Sequence, residues 1–155
     1  PSGDTKMAIK VSGTTVIDDN RNITDVENFG DSNTVYFGNG SNLSGAESGI
    51  STFVASGAIS NGDTVIVNAD GTVSAVTISG TTNLTAENYI GIAAEAISDG
   101  ATGKITVIGG INTAQSGLTT ARTYYVQNNG SLGLTSGNPS VVAGTSVSST
   151  EIIVR

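Results

Sequence analysis

Three residue types are missing from this 155-residue chain, which contains no Cys, no His and no Trp. Without Cys, the chain has no disulfide, no thiol nucleophile and no thiolate ligand for a metal. Without His, it lacks the usual general base at neutral pH and the commonest ligand of transition metals. Zinc-dependent hydrolysis and Ser-His-Asp catalysis are therefore excluded.

Charge is also scarce, because Asp, Glu, Lys and Arg together make up 12% of the residues and the formal net charge is −7. No cluster of Lys or Arg is available to neutralise phosphates. No apolar run approaches the roughly 20 residues of a membrane helix, and no signal-peptide core is visible. We expect neither nucleic acid nor a membrane as a partner.

Glycine is abundant, with 21 residues, and Ser, Thr and Asn fill much of the remaining chain. Small, β-branched and turn-forming residues at this density suit short strands joined by tight turns. Long helices are disfavoured because Leu, Glu, Lys and Arg are few. The composition therefore predicts an all-β fold, with one short helical turn at residues 85–88 as the only helix candidate.

Two regions of the chain differ in the length and spacing of their apolar runs. Residues 8–50 hold very short apolar runs separated by Asn, Asp and Gly, and these runs cannot close a core alone. We predict that residues 1–50 form an extended arm for attachment and oligomerisation, and that residues 51–155 form a compact β module. Met7 reads as a natural start, which would make residues 1–6 a leftover or an upstream segment.

Eight strands are predicted in the module, at residues 53–55, 64–67, 73–78, 89–94, 104–108, 123–126, 141–143 and 151–154. Asp70-Gly71 and Asn129-Gly130 supply the positive φ that tight hairpins require. Residues 62–73 match residues 121–132 without gaps, which suggests an internal two-fold repeat within one barrel or sandwich. The alternative is chance similarity among hairpins rich in Gly, Thr and Val.

Carboxylates offer little chemistry in this sequence. Asp18 and Asp19 lack the spacing of a calcium loop, so a solvated turn is the simpler interpretation. A glycosidase would need paired carboxylates and aromatics that stack on sugars, and aromatics make up only 5% of the chain. We expect no catalytic residue, no metal ligand and no cofactor, and the chain is predicted not to be an enzyme.

The aromatic side chains supply the candidate contact residues. Tyr124 and Tyr125 are adjacent, so in a strand they point to opposite faces, one to the core and one to a subunit contact or a glycan. Tyr36 and Phe37 form a second adjacent pair, within the arm. Tyr36, Phe37, Tyr124 and Tyr125 are therefore the predicted interface or ligand contacts.

Two passages resemble known proteins. One is Tyr36-Phe37-Gly38-Asn39-Gly40-Ser41-Asn42-Leu43-Ser44-Gly45. It resembles a sequence motif that recurs in tail-fibre and other structural proteins of marine tailed bacteriophages. The other runs from Phe53 to Arg155 and is similar to the β modules of phage capsid-decoration (cement) proteins in the order of its features. Among these are Gly62-Asp63-Thr64-Val65, the Asp70-Gly71 hairpin, Gly91-Ile92-Ala93 and Tyr124-Tyr125-Val126.

The resemblance implies a compact small β-barrel or sandwich of the β-tulip kind, carried on the surface of a virion assembled in the host cytoplasm. It implies a homotrimer that contacts the major capsid protein or other virion proteins, as a fibre or appendage or as a capsid decoration that stabilises the particle. Two alternatives stay open. One is a receptor-binding or glycan-binding module of a tail fibre that recognises a host surface glycan, and the other is a bacterial surface or filament β protein.

Overall fold

The computed structural model describes residues 9–11, 14–17 and 49–155. The chain divides into two units, Pro1–Ser44 and Gly45–Arg155, which are described separately. All regular secondary structure within the described residues is β-strand, and they contain no helix. The all-β prediction is confirmed, and residues 85–88 form a turn that does not continue into a helix.

In the first unit, β1 (Ile9–Val11) and β2 (Thr14–Ile17) pair as an antiparallel ribbon. Strand β2 coincides with an apolar run that the sequence shows at residues 14–17. Apart from Gly49 and Ile50, of which Ile50 begins a strand of the second unit, the rest of the predicted arm lies outside the described residues. Its extended character and its role in attachment stay predictions.

The second unit contains two five-stranded antiparallel sheets and a small hairpin. The first sheet has the order β3-β9-β8-β4-β5, and the second has the order β10-β14-β13-β11-β12. Each sheet therefore uses its five strands in the same arrangement. The strands of this unit are β3 (Ile50–Val54), β4 (Thr64–Val67), β5 (Val73–Ala75), β6 (Ile78–Ser79), β7 (Thr81–Thr82), β8 (Tyr89–Ala93), β9 (Thr102–Thr106), β10 (Ile111–Asn112), β11 (Thr123–Val126), β12 (Leu132–Gly133), β13 (Val142–Ser146) and β14 (Ile152–Val154).

The predicted strands agree with the structure best beside the strong turn signals. Strands β4 and β11 have the predicted bounds, whereas β3 and β9 begin earlier than predicted and the predicted strand 73–78 is broken between β5 and β6. The short strands β7, β10 and β12 were not predicted. Two-residue strands carry too little periodicity to be recognised, and their pairing partners define them.

The matched sequence segments occupy equivalent places in the two sheets, as the β4–β5 and β11–β12 hairpins. In the first hairpin the amide of Asn68 donates to the carbonyl of Thr72 at 2.8 Å, and in the second Gln127 donates to Ser131 at 2.8 Å. Gly71 and Gly130 both have positive φ, at 84° and 86°. The two hairpins therefore share one turn geometry.

Two hydrophobic clusters divide the second unit into layers. One lies between the sheets and joins Ile66 and Ile92 of the first sheet to residues of the second, namely Tyr124, Val126, Ala143, Ile152 and Val154. The other lies on the opposite face of the first sheet, where Ile59 and Ile97 cover Val65 and Ile105. Residues 55–63 and 94–101, which we name the cap loops, are joined there by paired backbone bonds between Ile59 and Ile97 at 2.8 and 2.9 Å. The order of layers is cap loops, first sheet, second sheet.

One unusual backbone conformation, a positive φ, occurs at equivalent positions of the two matched segments. Gly62 has φ 88°, and its counterpart in the matched segments, Ala121, has φ 60°, a conformation that costs an alanine about 1 kcal/mol. We expect Ala121→Gly to leave the free energy of unfolding unchanged or to raise it by up to about 1 kcal/mol, because relief of strain offsets the added freedom of the unfolded chain.

The reverse change, Gly62→Ala, is the matched variant. Its Cβ would lie 2.7 Å from the carbonyl oxygen of Ala114, so it should lower stability by about 2 kcal/mol. Urea denaturation of both variants checks the pair. A marked loss of stability in Ala121→Gly would contradict the assignment of strain to Ala121.

The first hairpin carries a titratable group where the second carries an amide. The hydroxyl of Thr72 donates to Oδ1 of Asp70 at 2.7 Å and the amide of Thr72 donates to it at 3.0 Å, and these bonds hold the pKa of Asp70 below 3.8. Ser131 makes the same two bonds to Asn129 at 2.8 and 3.1 Å.

A lowered folded-state pKa contributes stability above the unfolded value, and that stability is lost as the pH falls through the folded value. We expect Asp70→Asn, which reproduces Asn129, to remove this acid-sensitive contribution. Urea midpoints measured between pH 5 and pH 2 should therefore fall less steeply for Asp70→Asn than for the unmodified chain. Parallel curves would show that the bonds to Asp70 do not affect folding.

Candidate interaction surface

Tyr124 belongs to the core between the sheets. Its side chain is 5% exposed, and its hydroxyl accepts a hydrogen bond from the amide of Thr119 at 2.8 Å. The phenol thereby anchors the loop before β11 while the ring fills the core. Tyr124 offers little surface to a partner.

Tyr125 lies on the opposite face of the second sheet, as the alternation of strand side chains requires. Direct cross-strand pairing places Ile111, Ile153, Thr145 and Thr123 in one row across β10, β14, β13 and β11. Tyr125 pairs with Val142 in a second row. We name these six residues, Ile111, Thr123, Tyr125, Val142, Thr145 and Ile153, the outer face.

The outer face is partly exposed throughout, and the exposed fractions of Ile111 and Val142 reach 53% and 38%. None of its six side chains is charged. Arg155 approaches it, because Nη1 donates to Oγ1 of Thr145 at 3.3 Å. The result is a mixed apolar and hydroxyl surface with a cation beside it.

The equivalent face of the first sheet is covered. There the matching row is Ile50, Thr106, Ile92 and Thr64, and the second row pairs Tyr89 with Ile66. Thr64, Ile66, Ile92 and Thr106 are at most 2% exposed, because the second sheet packs over them. The two sheets are therefore stacked with equivalent faces pointing the same way. The outer face of the second sheet is the surface that a further sheet would cover.

Tyr89 belongs to the covered face and packs against the core between the sheets. Its hydroxyl donates to the carbonyl of Ala143 at 3.3 Å, and burial raises the pKa of the phenol above its ordinary value of 10.0. Tyr89 and Tyr124 are both turned toward the interior. They do not join Tyr125 in an exposed aromatic cluster.

An open cleft of about 560 Å³ lies where the edges of the two sheets meet, and its lining includes Glu95, Lys104 and Asn112. The Asn112 amide nitrogen donates to the carbonyl of Ala93 at 3.0 Å and to Oγ1 of Thr106 at 3.1 Å. Its oxygen accepts from the Ala114 amide and from Nε2 of Gln115, each at 3.1 Å. Asn112 is thus fully engaged in joining the second sheet to the first.

Three carboxylates of the second unit are dispersed, and each accepts a hydrogen bond from a backbone amide. Asp99 accepts a hydrogen bond from the backbone amide of Gly57 at 2.7 Å, and Asp63 accepts one from the backbone amide of Ser60 at 2.8 Å. Glu95 accepts one from the backbone amide of Lys104 at 2.9 Å. Within the part of the chain that the structure describes, no group of three His, Cys, Asp or Glu could hold a metal. Among the same residues, no helix is long and apolar enough to span a membrane.

Asn128 carries a buried side-chain oxygen that has no hydrogen-bond partner in the described part of the structure. The equivalent residue of the first hairpin is Ala69, so the turn itself does not need an amide here. A buried acceptor without a partner costs about 1–3 kcal/mol. We therefore expect Asn128→Ala to raise the free energy of unfolding by about 1 kcal/mol, measured by urea denaturation. A clear loss of stability would show that the Asn128 amide makes a favourable contact.

Of the four predicted contact residues, Tyr36 and Phe37 lie outside the described residues. The predicted split of the other two between the interior and a more accessible face agrees with the positions of Tyr124 and Tyr125, and their contact roles stay predictions. Sequence reasoning missed Ile111, Val142 and Ile153. Residues 151–154 also resemble residues 104–107 in sequence, so the internal repeat could have pointed to Ile153.

Comparisons with family models, with curated proteins and with solved structures gave no significant match to this chain. The resemblance to phage structural proteins therefore stays an expectation from the sequence.

Proposed function

We propose that the chain is a non-enzymatic structural protein that acts by assembling with copies of itself and with other virion proteins. Its place is the surface of a tailed bacteriophage particle, as part of a fibre or appendage or as a capsid decoration that stabilises the particle. The sequence resemblance at residues 36–45 and 53–155 supports the phage assignment.

The outer face, which no other described residue of the chain covers, is the structural observation that supports assembly. Its six side chains include Ile111, Tyr125, Val142 and Ile153, on a sheet whose counterpart in the same chain is buried by another sheet. Removing apolar surface from water is favourable by about 25 cal/mol per Å². A protein with few charges and an unpartnered sheet face is suited to a lattice or an oligomer.

The absolute mass of the full chain by light scattering tests this proposal. We expect a homotrimer, with three times the chain mass of 15.4 kDa, at micromolar concentration. Electron microscopy of phage particles mixed with gold-labelled chain then tests attachment to the capsid or the tail. A monomer at every concentration that labels no particle would contradict the proposal.

The glycan-binding alternative has less support. Sugars are commonly recognised by exposed aromatic rings, and Tyr89 and Tyr124 use both ring and hydroxyl inside the protein. Tyr89 and Tyr125 are both half-buried, but of these three only Tyr125 packs against neither hydrophobic cluster. Binding to a glycan array would revive this alternative, and loss of that binding in Tyr125→Ala would place the site.

A further inference from the structure

The two sheets are stacked in the same orientation, so the two outermost surfaces of the stack are different. The face of the first sheet that holds Ile66 and Ile92 is covered by the second sheet, and the corresponding face of the second sheet has nothing over it within the described residues. At the other end of the stack, the cap loops cover the first sheet through Ile59 and Ile97. The unit therefore has two different ends, the cap loops and the outer face.

The two ends differ in charge. Asp63, Glu95 and Asp99 lie in the cap loops, and Glu95 and Asp99 are exposed. The backbone amide of Lys104 donates to Glu95 at 2.9 Å, so a lysine also lies beside these carboxylates. At the other end, Arg155 bonds to Thr145 of the outer face, while Arg122 and Glu151 flank β11 and β14 in sequence. The outer face itself carries no charged side chain and Arg155 bonds to it, whereas Asp99 is exposed in the cap loops and Glu95 lines the open cleft together with Ile111.

The cap loops also have a suitable shape. Their exposed positions include Ser56, Gly57, Ala58 and Ser60. The small side chains of these residues protrude little, so a sheet can pack against them. The carboxyl of Asp99 is held in place by the amide of Gly57 at 2.7 Å. The fixed carboxylate of Asp99, among small side chains, is complementary in charge to a sheet face that has Arg155 beside it.

We propose that the outer face binds the acidic cap loops of a second copy of the chain, head to tail. Val142, Tyr125 and Ile153 supply the apolar contact, and Arg155 faces the carboxylates of the neighbouring copy. Such a contact is heterologous, and because it joins opposite ends of the stack it repeats from copy to copy as an open filament. The inference rests on the proposed function only in that the chain assembles with copies of itself, and the head-to-tail contact is additional to the one that forms the proposed homotrimer.

Val142→Asp in the full chain tests the contact. The side chain is outside both hydrophobic clusters, and the new carboxylate would oppose the acidic loops. We expect the dissociation constant of the assembly to rise about tenfold or more, with an unchanged circular dichroism spectrum. Ile78→Asp is the matched control, because Ile78 is 54% exposed and belongs to the separate β6–β7 hairpin.

A photo-cross-linker identifies the partner surface. The chain has no Cys, so Val142→Cys provides a single labelling site for a benzophenone maleimide. We expect cross-links between copies to reach residues 55–63 or 94–101. Cross-links that instead join the outer faces of two copies, or reach only other segments, would overturn the proposal.

The outcomes also separate this inference from the proposed function. Assembly that persists unchanged in Val142→Asp would overturn the head-to-tail contact and leave self-assembly standing. A chain that is monomeric before any substitution, with no cross-link between copies, would overturn the contact and the proposed self-assembly together.

Discussion

Asn112→Leu is expected to lower the free energy of unfolding by about 4 kcal/mol, the largest effect of any single substitution considered for this protein. Asn112 is 1% exposed, and its amide joins Ala93 and Thr106 of the first sheet to Ala114 and Gln115. Leucine has a similar size but would leave Oγ1 of Thr106 and the amide of Ala114 without this partner, while the carbonyl of Ala93 and Nε2 of Gln115 would keep only their bonds to Gly62. Buried polar groups that lose a hydrogen bond cost about 1–3 kcal/mol each, and partial relaxation reduces the sum.

Urea denaturation at neutral pH measures this loss. Asn61→Ala serves as the control, because Asn61 is exposed and should change stability by less than about 0.5 kcal/mol. Asn112→Asp separates hydrogen bonding from size. Its carboxyl could donate to Ala93 or Thr106 only when protonated, so this variant should be less destabilised at pH 3 than at pH 7. Equal losses at both pH values would indicate that the donor function of Asn112 is unimportant.

Gly144→Ala is expected to destabilise the protein by about 3 kcal/mol. A Cβ at Gly144 would overlap the carbonyl oxygen of Ile153 in the neighbouring strand, and it would also lie 2.9 Å from Cγ1 of Ile152. Backbone atoms of a paired strand cannot move aside without disturbing the sheet. The same relation holds in the first sheet, where a Cβ at Gly91 would overlap the carbonyl oxygen of Thr106.

Gly137→Ala is the matched control for this prediction. The nearest atoms to its added Cβ are 3.5 Å away, at ordinary van der Waals distance, and its φ is not in the left-handed region. Thermal unfolding of the two variants should therefore differ clearly, with Gly137→Ala close to the unmodified chain. Similar midpoints for both would show that β13 and β14 can separate enough to admit a methyl group.

The parts of the fold that the sequence predicted well depend on local chemistry. Asp70-Gly71 and Asn129-Gly130 fix turns whose bonds span four residues, and strands β4 and β11 leading into them have the predicted bounds. The gapless match of residues 62–73 with 121–132 corresponds to equivalent hairpins for the same reason. Tyr124 and Tyr125 point to opposite faces because a strand alternates, wherever it is placed.

The parts that the sequence left open depend on distant contacts. Strand β10 has two residues and exists because Ile111 and Asn112 pair with β14, far along the chain. The alternation at 152–154 separates Ile153 from its neighbours but does not say which face is buried. Asn112 reads as an ordinary loop residue until the first sheet lies beside it.

The sequence by itself determined the all-β class and the two matched hairpins, because composition and turn residues act over a few bonds. Only the tertiary structure decided that the two halves stack in the same sense. Burial of a sheet face depends on what lies above it, so equivalent residues have opposite environments. Ile92 is covered and its counterpart Thr145 belongs to the outer face, although both occupy the same position in their sheets.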